Sequence, residues 1–71
     1  MTESVYRVTQ VIGTSSESWA AAARIAVATA AKTVRDLRVA EVDKLDVTID
    51  NGQITSFRAR LNISFKYETG D

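Results

Sequence analysis

The sequence has no cysteine, no histidine and no proline, and only three glycines among its 71 residues. Without cysteine no disulfide can form, and without cysteine or histidine the donors of ordinary zinc sites are missing. The same two absences remove Ser–His and Cys–His nucleophile pairs and the side chain that shuttles protons near neutral pH. Chemistry would fall to carboxylates, lysine, arginine or tyrosine, and no constellation of these marks a catalytic centre, so no catalytic residue is assigned. An excess of one charge is missing too. Nine Lys+Arg balance nine Asp+Glu, and the signs alternate along the chain, so the basic footprint of a nucleic-acid binder is lacking. The most apolar stretch, Trp19 to Ala31, is mostly alanine and is interrupted by Arg24 and Thr29. It falls well short of the ~20 strongly apolar residues of a membrane span. Met1-Thr2-Glu3-Ser4 carries no positive segment leading into an apolar one, so no signal peptide is read and the cytoplasm is the expected compartment.

What the chain does have is small apolar residues. Hydrophobic residues make up 45% of the sequence, and ten of them are alanine. Residues 1–71 are one small domain, and a domain of this size buries only about 60% of its unfolded surface, so its own core is expected to be marginal. With disulfides and zinc excluded, self-association is the remaining means of stabilisation.

Along the chain, Val5 to Ile12 is rich in β-branched residues and runs into Gly13, which reads as a first strand closed by a breaker. Thr14 with Glu17 three residues later matches a capping box. From Ser16 to Val34 helix formers dominate, and Trp19, Ala22, Ala23, Ala26, Ala30, Val34 and Leu37 form one apolar stripe. Arg24, Lys32 and Arg35 lie opposite, and with no Gly or Pro to stop it the helix is expected to end between Arg35 and Arg38. A second strand spans Val39 to Ile49. Ala40 and Val42 share one parity while Leu45, Val47 and Ile49 share the other, which predicts a β-bulge near Asp43 and Lys44. Asp50-Asn51-Gly52-Gln53 then supplies a hairpin turn. The last strand, Ile54 to Tyr67, puts Phe57, Ala59, Leu61, Ile63, Phe65 and Tyr67 on one face and Ser56, Arg58, Arg60, Asn62, Ser64 and Lys66 on the other.

The order β-α-β-β predicts an α+β domain, a three-stranded antiparallel sheet wrapped around one amphipathic helix. The helix is too short for the final strand, whose apolar face extends past it, and that third strand is expected to be an open edge. Other copies of the chain would cover both, which predicts a homo-oligomer.

These residues resemble the dodecin family of small β-α-β-β proteins. The likeness rests on Val5-Tyr6-Arg7-Val8 running into Val11-Ile12-Gly13-Thr14-Ser15, on Ser18-Trp19 opening an alanine-rich helix, on Ala40-Glu41-Val42, and on Phe65 in a long alternating strand. It covers nearly the whole chain. The resemblance implies a hollow homododecamer with ligand sites where subunits meet near symmetry axes, serving storage or sequestration rather than turnover. It also implies flavin (FMN or riboflavin) as ligand, held by a Trp directly before the Ala-Glu-Val element and a Gln early in the third strand. Here those positions are Val39 and Arg58. Val39 offers no aromatic face for a planar ring, and Arg58 lacks the acceptor that a Gln presents to a flavin NH, so an altered or non-flavin ligand is expected.

The residues assigned to a small ligand are Val39, Lys44, Arg58 and Lys66, with Arg58 and Lys66 from symmetry-related chains converging on a phosphorylated ligand or anion. Trp19 reads as core or as a subunit contact. Glu41, Asp43, Asp46 and Asp50 supply the hard oxygen donors that calcium prefers, and some dodecin-like proteins are linked to cation binding. Their spacing is not that of an EF-hand, so such a site would have to be gathered by symmetry. The plainer alternative pairs these carboxylates with Arg24, Arg35, Arg38 or Lys44. Glu41 is expected in an ion pair between subunits. A purely structural shell is the remaining alternative, and neither nucleic acid nor membrane is expected as a partner.

Overall fold

The computed structural model describes residues 4–66, which form β1 (Tyr6–Ser15), α1 (Trp19–Ala30), β2 (Leu37–Asp50) and β3 (Gln53–Lys66). Tyr67, expected at the end of the last strand, lies outside the described residues. The strands make one antiparallel sheet in the order β1-β3-β2. The third strand is therefore the centre of the sheet and not an open edge as its position in the chain suggested. The hairpin sets β3 beside β2, and the α1 crossover carries β1 to the far side of β3, so β1 and β2 are the edges.

Gly13 lies inside β1 rather than ending it. Added to its backbone, a Cβ would collide with the Ala22 carbonyl oxygen and sit 2.9 Å from Ala26 Cβ, so the glycine is what lets the helix approach the sheet. The strand then continues to Ser15 and leaves no room for a capping box at Thr14. Ser18 caps the helix instead, its Oγ accepting from the Ala21 amide at 3.0 Å, while Ser15 Oγ accepts from the Glu17 amide at 3.0 Å. At its other end α1 stops at Ala30, earlier than its alanine content predicts. Hydrogen bonds from Lys32 to Thr29 and from Thr33 to Ala30 tighten its last turn before Asp36 reverses the chain with φ 62°.

The bulge read from parity is present. The register shifts between Val42 and Lys44, which brings Ala40, Val42, Leu45 and Val47 to the helix side together. The turn is also as expected, with Asn51 at φ 56° and Gly52 at φ 77°, the two left-handed residues of a type I′ hairpin.

The 12-residue helix spans about 18 Å, whereas the 14-residue strands span about 46 Å, and the molecule is 54 Å long. α1 packs on β1 and β3 and barely touches β2. Ala22 and Ala26 of the helix meet Ala59, Leu61 and Ile63 of β3 in the core. Leu61 and Ile63 are the only large side chains fully buried among the described residues, while eleven large hydrophobics stand exposed.

Candidate ligand-binding face

Strand pairing arranges the sheet face away from the helix into rows that cross all three strands. Val8, Ser64 and Val39 form one row; Gln10, Asn62 and Glu41 the next; then Ile12, Arg60 and Lys44; then Thr14, Arg58 and Asp46. Val39, Lys44, Arg58, Glu41 and Asp46 therefore share one face. Lys66 stands on it at the far end, beside Tyr6. Asp50 lies at the hairpin turn, paired with Gln53.

Arg58 is engaged within the chain. Its Nε donates to Asp46 Oδ1 at 2.7 Å and its Nη2 to Asp46 Oδ2 at 2.9 Å, the fork geometry that makes Arg–carboxylate pairs strong. This hydrogen bonding holds the Asp46 carboxyl below its ordinary value of 3.8, partial desolvation opposes the shift, and the positive fields of Arg58 and Arg60 add to it. The same hydrogen bond raises the Arg58 guanidinium. The cation expected for Asp46 was one of Arg24, Arg35, Arg38 or Lys44, and its partner is Arg58. Of the expected partners, Arg38 alone meets a carboxylate in a described ion pair, with Asp36 at 3.9 Å. A regular hairpin continued from Asp50 and Gln53 would set Asp46 opposite Phe57. The irregularity between Thr48 and Ile49 shifts the register by one and delivers Arg58, which is why the pair was missed.

The bulged Asp43 is drawn onto the same face. Gln10 Nε2 donates to Asp43 Oδ2 at 3.3 Å and to Asn62 Oδ1 at 3.0 Å, tying the three strands by their side chains. Among the described residues no three acids converge to hold a metal ion, so Glu41, Asp43, Asp46 and Asp50 make no calcium cage within one chain. Nor do the ligand candidates converge. Val39 lies opposite Ser64, six residues from Arg58 and so about 20 Å along β3; Arg58 and Lys66 are about 26 Å apart. Val39 is 61% exposed.

Trp19 is on the other side. Its ring meets Phe57 edge-on at 5.2 Å between centroids, and its Nε1–H donates to the Asp46 carbonyl at 3.0 Å. It covers the part of β3 that the helix cannot reach while the residue itself stays 40% exposed.

The model of one family, Dodecin, matches residues 5–68. The chain belongs to the dodecin family. It is 44% identical over 63 residues to calcium dodecin of Mycobacterium tuberculosis, covering 89% of each chain. It is 34% identical over 64 residues to dodecin of Thermus thermophilus, covering 90% of this chain and 93% of that one. Among solved structures, dodecin from Streptomyces coelicolor superposes with a TM-score of 0.91 at 36% identity over 99% of this chain and all of that one. The crystal structure of the Mycobacterium tuberculosis calcium dodecin, described as having a novel calcium-binding site, gives 0.81 at 43% identity over 96% and 97% of the two chains. No helix among the described residues is long and apolar enough to cross a membrane.

Proposed function

We propose that this dodecin works as a non-catalytic, small-ligand-binding shell built from twelve copies of the chain. The observation that carries it is the imbalance of the isolated protomer: among the described residues two large side chains are fully buried, eleven large hydrophobics are exposed and two strand edges are unpaired. Burying a large aliphatic side chain contributes roughly 1.5–3 kcal/mol, so two of them cannot offset the ordering of some sixty residues. Packing against further copies removes Val42, Leu45, Ile49 and Ile54 from water and closes the edges. Assembly also brings Val39, Lys44, Arg58 and Lys66 of different copies within reach of one ligand, which one chain cannot do. In this reading the shell works in the cytoplasm.

Flavin is a weak ligand in this reading, since Val39 has no ring to stack and Arg58 is held by Asp46. Calcium is the second reading, favoured by the 44% identity to a protein named for it and by Glu41, Asp43 and Asp46 on one sheet face. The deciding experiment for the shell is light scattering on the purified protein. A mass near twelve times the 7.8 kDa chain is expected, and a monomer or dimer would overturn it.

A further inference from the structure

The hairpin of β2 and β3 runs on past the helix and ends in an apolar tip. Ile49 and Ile54 are paired across its strands and are 66% and 58% exposed, so packing within the chain leaves both in water. Between them in the sequence, Asp50 carries the one charge of the tip.

Elsewhere the chain has an apolar hollow. α1 packs on β1 and β3 and barely touches β2, and where the helix and β2 part there is a groove of about 510 Å³. Ala23 and Val27 of α1 form one bank, Ala40 and Val42 of β2 the other, and buried Leu61 the floor. Alanine on both banks leaves open the space that larger side chains would fill. Exposed Arg24 stands at the rim, the one charged residue in the lining among the described residues.

Tip and groove complement each other in polarity and in charge. Two isoleucines with one carboxylate face the needs of an apolar hollow with one guanidinium. Among the described residues neither Asp50 nor Arg24 has an ion pair or a side-chain hydrogen bond. Ile54 lies seven residues from Leu61 on β3, about 23 Å along an extended strand, so a chain cannot fill its groove with its own tip.

We propose that the hairpin tip of one copy docks into the α1–β2 groove of a second copy, Ile49 and Ile54 filling the hollow and Asp50 pairing with Arg24 at its rim. The inference rests on the shell reading and adds to it the surfaces that meet. Tip and groove are different patches, so the contact is heterologous: every copy gives a tip and receives one, and the contacts run around a ring instead of joining two copies face to face. Burial of the isoleucines supplies the attraction, and the charge pair fixes the register of docking.

Two experiments test this. The chain has no cysteine, so Ile49→Cys and Ala28→Cys, the latter on the groove wall, introduce the only thiols. Placed together in one chain and treated with a short bis-maleimide, they should link copies into covalent products larger than dimers. Ile49→Cys alone should give no product, because tips do not meet tips. In the second experiment, Arg24→Glu and Asp50→Lys should each lower the urea concentration at which the assembled mass is lost, since each sets like charges together. Combining them should restore most of that loss. The contact is overturned by an unlinked double-cysteine protein, by linkage of Ile49→Cys alone, or by products that stop at dimers. Single charge variants as resistant as the unmodified protein, or not rescued by the second exchange, overturn it as well. Light scattering on the unmodified protein separates the two readings: with a twelve-copy mass any of these outcomes removes this contact alone, whereas a monomer removes the shell and the contact together.

Discussion

Asp46 and Arg58 face each other across β2 and β3 and are joined by two hydrogen bonds of 2.7 and 2.9 Å. An arginine held in this way has two of its five N–H donors committed to Asp46 and offers no acceptor, so it is not a substitute for a glutamine. The pair stands on the sheet face that also carries Val39 and Lys44, so it shapes what that face can bind.

The pair sets a pH signature. Asp46 titrates below 3.8 in the folded protein, first because Arg58 donates to it. A depressed carboxylate contributes stability that is present above its unfolded value and lost as pH falls through the folded one. NMR titration of the Asp46 carboxyl carbon should give a midpoint below 3.8, moving up toward that value in Arg58→Gln. The same midpoint in both proteins would mean the pair is not formed in solution.

Flavin binding should respond to two positions together. Riboflavin fluorescence should be quenched weakly or not at all by the unmodified chain. Val39→Trp should strengthen the quenching, and combining it with Arg58→Gln should strengthen it further by restoring an acceptor for the flavin edge. Tight binding by the unmodified protein would contradict the reading of Val39.

Calcium binding, if carried by Glu41, Asp43 and Asp46, belongs to assembled copies, since one chain gathers no three acids among its described residues. Added calcium should then raise the melting temperature of the assembly, and Glu41→Gln or Asp43→Asn should reduce that rise. A melting curve indifferent to calcium removes this ligand.

Gly13→Ala should be among the most damaging single changes. The new methyl meets the Ala22 carbonyl and Ala26, and forcing extra volume into a packed contact costs about 1–3 kcal/mol. A lower melting temperature is expected by circular dichroism, with Thr14→Ala, on an exposed neighbour, close to the unmodified protein.

Leu61→Ala empties the centre of the core. Leu61 is the largest fully buried side chain among the described residues, and truncating such a residue costs roughly 2–5 kcal/mol. With so few large residues buried, the variant should lose both the melting transition and the assembled mass. A stable assembly would show that contacts between copies, rather than this core, hold the fold.

Local signals determined a good deal. Alternation along Phe57 to Phe65 placed the buried face of β3, the parity slip between Val42 and Leu45 located the bulge, and Asn51-Gly52 specified the turn. Each depends on neighbours a few residues apart, where backbone preference and side-chain period act directly. The alanine-rich core without cysteine or histidine likewise marked a chain with little to stabilise it alone. Tertiary structure decided what depends on distant pairing. It set β3 between β1 and β2, kept Gly13 inside a strand because the helix presses on it, ended α1 at Ala30, and matched Asp46 to Arg58 through a one-residue register shift. Those outcomes turn on which strand edges meet and how closely a helix can approach. Apart from the helix end, they are set by contacts 9 to 60 residues apart that no short-range pattern encodes.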